Sequence, residues 1–473
     1  MKKTKIVATV GPSTEKPEII ETLIEVGVDV FRFNFSHGNY EKHLKLLKMI
    51  RSISKQKNTY IATLMDLSGP KLRLGEIKEP IPVRIGDVVK IVYGNFVGEG
   101  KTIPLPVKEV FETIKVDDYF YIADGTVKLR VLEKGEDYIV SEILSAGIIS
   151  SRKGLNLPNV DLNLSALTDK DKKDIEFGIK AGFDIVALSF VRTKHDVLLA
   201  KKIIKENGGD VPLFAKIEKN EAITNIDEII EVSDGVMVAR GDLGIEIDME
   251  RVPIVQKMII KKANEAAKPV ITATQMLTSM IKHSRPTRAE VSDIANAVLD
   301  GTDAVMLSDE TTIGNFPIDA VNVMVKTIEE TEKIYPFYKF NDLTNHRKIS
   351  SAIAQTAVKL AKELKANGIV VFTKSGASVR RVSIARPKCP IYAVATNEKV
   401  LRQLAICWGV TNYMISKDTD NADELLVEFL KATSKTFQPD NVFIATIGYP
   451  AGVPGTTNMI RTIRKDDYDY FLK

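Results

Sequence analysis

Pro212-Leu213-Phe214-Ala215-Lys216-Ile217-Glu218 is an apolar run with two opposite charges set into it, two residues apart. Side chains alternate along a strand, so Lys216 and Glu218 share one face and one strand end. Buried charges are costly without partners: either the two pair with each other, or they face a cavity that holds ligand charge. The next apolar run, Gly235 to Ala239, also ends in charge, at Arg240-Gly241-Asp242. Working outward from Leu213 to Ile217, the strand within the first run, Asp184 to Leu188, Pro269 to Ala273 and Asp303 to Leu307 complete a block of five, and Lys5 to Val10, Val28 to Phe33 and Tyr60 to Met65 form an earlier block of three. All are rich in β-branched residues and mostly separated by stretches of helical periodicity. Eight parallel strands alternating with helices suggest a closed (β/α)8 barrel of the TIM type.

The ends of these runs are polar. In order they read Thr9-Val10-Gly11-Pro12, Arg32-Phe33-Asn34-Phe35-Ser36-His37, Asp66, Ser189, Lys216-Ile217-Glu218, Arg240-Gly241-Asp242, Thr272-Ala273-Thr274-Gln275 and Ser308-Asp309-Glu310. Barrel enzymes assemble their sites from the carboxyl ends of several strands, and this distribution supplies one.

Between the third and fourth runs the texture changes to short strands punctuated by Gly-Asp and Asp-Gly turns, as in Pro82 to Ile91 and Tyr119 to Val127. This insertion reads as all-β, a β-barrel lid over residues 70–164 that leaves from a strand's carboxyl end and stands over the barrel mouth. The barrel then comprises 1–69 and 165–337. From about Tyr338 helix and strand alternate again: Ser350 to Ala366, Gly368 to Phe372, Ser378 to Ala385, Ile391 to Val394, Lys399 to Ala405 and Asn441 to Ile447. Residues 338–473 read as a small doubly wound α/β domain. Its first strand runs into Thr373-Lys374-Ser375-Gly376-Ala377-Ser378, a small-residue turn whose backbone N–H groups face an anion, with Lys374, Arg380 and Arg381 supplying charge.

Composition narrows the function. The 473 residues are 44% hydrophobic and 27% charged, ample for two to four globular domains. The 66 basic and 62 acidic residues are mixed along the chain and leave a net charge of +4, which argues against nucleic acid as a partner. No apolar leader follows Met1-Lys2-Lys3-Thr4, and Cys389 and Cys407 offer neither a metal spacing nor a disulfide framework, so a cytoplasmic protein with no membrane partner is expected.

Glu218 and Asp242 end neighbouring strands of such a barrel, which suits a magnesium ion held by two carboxylates and completed by water and phosphate oxygens. A Lys216–Glu218–Arg240–Asp242 ion-pair network tying the strands together is the alternative, and the two can coexist. Gly241, lacking Cβ, admits an anion to the amides of Gly241 and Asp242, although turn glycines are common. Arg32 and Arg73 stand where a guanidinium fork clamps phosphate oxygens, or makes a surface ion pair. A strand threonine such as Thr274 more often bonds backbone, and only its company argues for a site. Of the histidines, His43, His195 and His283 read as solvated, His346 lies in a polar connector, and only His37 falls at the site.

Taken together, Thr9-Val10-Gly11-Pro12-Ser13, Arg32-Phe33-Asn34-Phe35-Ser36-His37-Gly38, Lys216-Ile217-Glu218, Val238-Ala239-Arg240-Gly241-Asp242-Leu243-Gly244, Thr272-Ala273-Thr274-Gln275-Met276-Leu277 and Ser284-Arg285-Pro286-Thr287-Arg288-Ala289-Glu290 resemble the pyruvate kinase family, from Lys5 into the C-terminal domain. The resemblance implies phosphoryl transfer from phosphoenolpyruvate to ADP, giving pyruvate and ATP. It implies Glu218 and Asp242 as ligands of Mg2+ or Mn2+, and Lys216 as the cation that neutralises the phosphoryl group in flight. Arg32 would hold the substrate phosphate. The Gly241 and Asp242 amides and the Thr274 hydroxyl would hold its carboxylate, with Thr274 at the end of the proton relay to the enolate and a water chain as the source. Asn34, His37, Arg73 and Lys153 match nucleotide-binding positions. A homotetramer and allosteric control are also implied. With this company, the setting of Lys216 and Glu218 favours the cavity over the simple pair.

One stretch departs from the family. In Asp66-Leu67-Ser68-Gly69-Pro70-Lys71-Leu72-Arg73, Leu67 and Lys71 stand where K+-requiring members carry Thr and Glu. The monovalent-cation position beside Asn34, Ser36, Asp66 and Leu67 would then be served by the fixed charge of Lys71, and K+ would not be required. Lys71 as a solvated hinge lysine is the plainer reading. The turn Thr373 to Ser378 resembles the family's phosphate-effector loop. Its partner loop, Gly448 to Thr457, lacks the arginine associated with fructose 1,6-bisphosphate, so AMP or a monophosphorylated sugar is the expected effector. A metal-dependent barrel lyase would not need a lid bearing Arg73 and Lys153, and a non-catalytic sugar-phosphate sensor would have lost the barrel-mouth residues.

Overall fold

The computed structural model describes residues 2–123, 125–158, 165–339, 349–414, 419, 421–433, 440–449 and 456–471. Asp124, His346 and the centre of the loop Gly448 to Thr457 (450–455), all read from the sequence above, lie outside the described residues. Eight strands close a barrel: β1 (Lys5–Thr9), β2 (Val30–Asn34), β3 (Ala62–Asp66), β4 (Ile185–Leu188), β5 (Leu213–Ile217), β6 (Gly235–Ala239), β7 (Val270–Ala273) and β8 (Ala304–Leu307). Neighbours in sequence are neighbours in space, every pair is parallel, and β8 returns to β1. The two faces of each strand belong to different cores. Val7, Leu64, Phe214, Met237, Ile271 and Met306 belong to an inner cluster that also takes in C-terminal residues such as Ala354 and Ile369. Ile6, Phe31, Met65, Leu213 and Val238 face outward under the surrounding helices. Both faces being covered is why these runs read as continuously apolar rather than alternating.

The insertion carries a six-stranded sheet and a two-stranded sheet, separate rather than one closed barrel, around a core that includes Ile91, Phe111, Phe120 and Leu129. A short helix, Lys108–Thr113, interrupts the strands and was not signalled by the alternation of the sequence. Where the chain leaves β3, Gly69 has φ +64°, and a Cβ there would lie 2.5 Å from the Phe190 ring, so only glycine fits this exit. The C-terminal sheet has the order Val410–Met414, Ile391–Ala395, Gly368–Phe372, Phe443–Gly448, Thr457–Ile463; the first four strands are parallel and the last is antiparallel. No helix among the described residues is long and apolar enough to cross a membrane.

Candidate active site

Register brings the charges together. Asn34 pairs with Asp66 between β2 and β3, Ala187 pairs with Asp66 between β3 and β4, and Lys216 pairs with Met237 between β5 and β6. Asp66 and Lys216 lie on alternate strands, which in a barrel contribute to the same interior layer. Lys216 Nζ lies 3.0 Å from Asp66 Oδ1 and 2.9 Å from Glu218 Oε1, and donates to Ser189 Oγ at 2.7 Å. The sequence poses pairing and cavity as alternatives; in the fold Lys216 and Glu218 do pair, at the barrel mouth. Arg240 stands apart from that pair, with Nη1 2.7 Å from Asp293, while its other nitrogens donate to the carbonyls of Ala273 (3.2 Å) and Thr274 (2.6 Å). It thus clamps a strained turn, since Thr274 and Gln275 have φ of 68° and 56°.

The electrostatics follow from burial. Burial opposes the Lys216 ammonium, but Asp66 and then Glu218 outweigh it and push its pKa up, so it stays charged. Burial works against the Asp66 carboxylate as well, yet Arg32 and Lys216 hold its pKa down; Arg32 Nε donates to Asp66 Oδ2 at 2.6 Å. Glu218, 1% exposed, is different: burial pushes its carboxyl up, Lys216 opposes, and the nearby Asp242 pushes it further. Two carboxylates at neighbouring strand ends, Glu218 buried and Asp242 half-buried, are a donor set that fits a divalent cation. No group of three or more His, Cys, Asp or Glu among the described residues forms a metal cage.

At the adjoining rim, Gly241 N–H donates to Thr274 Oγ1 at 2.8 Å, and that hydroxyl donates to Ala273 O at 2.7 Å. Thr274, in the turn just after β7, is therefore both a backbone-bonded threonine and the neighbour of an anion-facing amide. Arg32 Nη1 donates to Thr9 Oγ1 at 3.1 Å, which leaves the guanidinium edge between β1 and β3. Asn34 Oδ1 accepts from Ser36 N–H at 3.0 Å, and the Asp66 carbonyl accepts from Phe35 N–H at 2.9 Å, so Asn34, Ser36 and Asp66 meet at the ends of β2 and β3, with Leu67 buried next to them. Lys71 lines the crevice between barrel and insertion together with Leu72, Asn156, Phe190, Arg192 and Lys219; the contacts made by Asp66 are with Arg32, Lys216 and Ser189. Arg73 and Lys153 come together across a bridge between Arg73 and Gly154, both exposed on the insertion, and His37 is exposed on the barrel. In the C-terminal turn, Gly376 N–H donates to Thr373 Oγ1 at 2.9 Å, and Ser378 Oγ lies 2.5 Å from Thr457 Oγ1.

Sequence reasoning missed several residues here. Ser189 was noted as a strand ending but given no role, yet it bridges Lys216 and the Leu67 carbonyl (2.7 Å). Glu246 is buried at the end of the helix Arg240–Glu246, 2.7 Å from Lys219 Nζ and 3.5 Å from Asn156 of the insertion, so it ties the insertion to the helix that carries Gly241 and Asp242. His43 is corrected: it is buried rather than solvated, stacked on Phe35 at 4.6 Å.

Comparisons with known proteins agree with this geometry. A model described as pyruvate kinase, barrel domain, matches residues 1–321, and one described as pyruvate kinase, alpha/beta domain, matches residues 351–463. The chain is 42% identical over 469 residues to a pyruvate kinase of Clostridium acetobutylicum, covering 98% of this chain and 99% of that one. It is 43% identical to a pyruvate kinase of Agrobacterium vitis, covering 97% and 98%. A crystal structure of a pyruvate kinase from Cryptosporidium parvum matches with a TM-score of 0.92 and 36% identity, over 98% of this chain and 96% of that one. A barrel mouth with these charges, under an inserted sheet domain, and these relatives make the chain a phosphotransferase. More narrowly, it belongs to the pyruvate kinase family.

Proposed function

We propose that the chain transfers the phosphoryl group of phosphoenolpyruvate to ADP, releasing pyruvate and ATP as in glycolysis. The observation that carries this reading is Lys216, a buried ammonium kept charged between Asp66 and Glu218, with Arg32 on the other side of Asp66. Such a cation faces negative charge that develops on a phosphoryl group passing between two oxygens. Arg32 holds the substrate phosphate. Gly241 and Asp242 present amides to the substrate carboxylate, which takes the place of Thr274 Oγ1 as acceptor for Gly241 N–H; the Thr274 hydroxyl then turns to the substrate. Protonation of the enolate runs past Thr274 from water, because a threonine is no acid at neutral pH. Glu218 and Asp242 would hold Mg2+ or Mn2+, which when bound supplies charge neutralisation for the phosphate oxygens. Asn34, His37, Arg73 and Lys153 receive the nucleotide, and the insertion closes on it.

The same reading divides the chain into a barrel (1–69 and 165–337), a lid (70–164) and an effector domain (338–473), in a cytoplasmic homotetramer. The turn Thr373, Lys374, Ser375, Gly376, Ala377 and Ser378 takes the phosphate of AMP or of a sugar monophosphate. A coupled assay for pyruvate from phosphoenolpyruvate, ADP and a divalent cation tests the reaction; no pyruvate from the purified chain would overturn it.

Independence from K+ is a separate expectation. Leu67 has no side-chain oxygen to give a monovalent cation, Asp66 is already neutralised by Arg32 and Lys216, and Lys71 adds fixed charge at the same exit from β3. Turnover should be unchanged when K+ is replaced by tetramethylammonium, and Lys71→Glu should create a K+ requirement. A large loss of wild-type turnover in K+-free buffer would contradict this.

A further inference from the structure

Glu218 and Asp242 stand on two different elements. Glu218 follows β5 and is itself followed by Lys219, the residue that opens the helix Asn220–Thr224, while Asp242 lies in the first turn of the helix Arg240–Glu246. Glu246 comes four residues after Asp242, about one turn further along the same face of that helix. Lys219 Nζ meets Glu246 Oε1 at 2.7 Å. One ion pair therefore joins the segment that carries Glu218 to the helix that carries Asp242.

The insertion lands on the far end of the same helix. Asn156 belongs to the short strand Leu155–Asn156, which pairs with Tyr121 and Ile122 in the six-stranded sheet. Its Nδ2 lies 3.5 Å from Glu246 Oε1, the oxygen that Lys219 also meets. Gly125, in the turn after Ile122, sits so close to the helix that a Cβ there would lie 3.2 Å from Ile245 Cγ1. Ile245 and Glu246 are the last two residues of a helix whose first turn holds Gly241 and Asp242. So short a helix is stiff, and a shift of its last turn is carried through its backbone hydrogen bonds to its first. Glu246 and Asn156 are both buried, which sets this contact apart from an exposed pair that contributes little. Burial pushes the Glu246 carboxyl pKa up, with Glu221 adding to it, and Lys219 and then Asn156 pull it back. Those two partners are what offsets the cost of a buried charge there.

Resting on the reading of Glu218 and Asp242 as the carboxylates for Mg2+ or Mn2+, we propose that Glu246 is a positioning residue for the phosphotransfer reaction. Through Lys219 it sets the separation of the two carboxylates, and through Asn156 it makes that separation depend on where the insertion stands. The lid thus acts on the metal site from behind, through the helix Arg240–Glu246, as well as covering the nucleotide. A tie that served stability alone would change the thermal midpoint and leave the affinity for metal as it was.

Mn2+ alone is the probe, titrated against the full chain without substrate, with free Mn2+ read from its electron paramagnetic resonance signal. Glu246→Ala should weaken Mn2+ binding by roughly tenfold or more, the usual cost of removing a group that orients metal ligands. Asn156→Ala should weaken it by roughly twofold to fivefold, the worth of one hydrogen bond, although Asn156 belongs to the insertion. In the Glu246→Ala background Asn156→Ala should add nothing, because its route to the carboxylates is already cut. Glu246→Gln, close in shape, should keep the fold and the contact with Asn156, and fall between wild type and Glu246→Ala. Glu218→Gln marks the loss expected when the site itself is damaged. Mn2+ binding that Glu218→Gln leaves unchanged would remove the metal reading and the proposal with it. Binding weakened by Glu218→Gln but held at the wild-type value in Glu246→Ala and Asn156→Ala, or losses that add in the double variant, would overturn the proposal alone.

Discussion

Lys216→Met should lower kcat by roughly 10²–10³-fold or more, the range seen when one preorganised electrostatic donor is removed from an active site, while the chain stays folded. Lys216 is 8% exposed and touches Asp66, Glu218 and Ser189 at 2.7–3.0 Å, so its ammonium is fixed before substrate arrives and costs no reorganisation during transfer. Methionine keeps most of the aliphatic stem and removes the charge. The carboxylates it leaves are still held, Asp66 by Arg32 Nε at 2.6 Å and Glu218 by Phe190 N–H at 2.8 Å, which is why folding should survive despite the penalty of an unpaired buried charge. The loss should fall on kcat more than on KM for phosphoenolpyruvate, because Arg32, not Lys216, is the ground-state phosphate contact. Lys216→Arg should rescue little: a planar fork does not fit a point already shared by three oxygens. Steady-state kinetics beside a thermal midpoint separate the two effects. Near-wild-type kcat in a folded Lys216→Met chain would remove Lys216 from the mechanism.

Much of this site was legible because its signals are local. The i, i+2 spacing of Lys216 and Glu218 needs only strand periodicity, and Leu213–Ile217, Gly235–Ala239 and Gly368–Phe372 have the bounds read from the sequence. Where strands start late, the cause is the element before them. Val28 was read as strand, but its N–H closes the preceding helix on the Leu23 carbonyl at 2.9 Å, and β2 begins at Val30. What failed depends on distant partners. His43 looks polar on its own helix and is buried only because Phe33 of β2 and Phe35 just beyond it arrive against it. Glu246 gains meaning from Asn156, ninety residues away on the insertion. The last sheet strand, Thr457–Ile463, lacks a buried face of its own, with only its end residues buried, and so gave no alternating signal.

Arg386 is the extreme case of that dependence, and Arg386→Met should destabilise the chain by about 3–5 kcal/mol, the cost of breaking a buried ion pair by removing one partner. Read from sequence it merely follows a C-terminal helix. In the fold it is 0% exposed, with Nη1 2.8 Å from Asp303 Oδ1 at the foot of β8, Nη2 donating to Asn264 Oδ1 (3.0 Å) and to the Gly301 carbonyl (2.6 Å), and its guanidinium 5.0 Å from the Trp408 ring centroid. Burial works against that charge, but Asp303 outweighs it and raises the pKa of Arg386, so the pair is ionised. Methionine would fill much of the volume yet leave Asp303, Asn264 and the Gly301 carbonyl short of a donor, all at the seam between barrel and C-terminal sheet. Asp303 also accepts from Val270 N–H at 2.9 Å, so Asp303→Asn should cost less than Arg386→Met, and the double variant should cost less than the sum, because each single change already breaks the same pair. Thermal and denaturant midpoints measure this. Turnover of the folded fraction should be little changed, since the seam lies at the opposite strand ends from Lys216. An unaltered midpoint in Arg386→Met would mean that the apolar cluster shared by the barrel interior and the C-terminal domain holds the seam, and that the buried pair only sets its register.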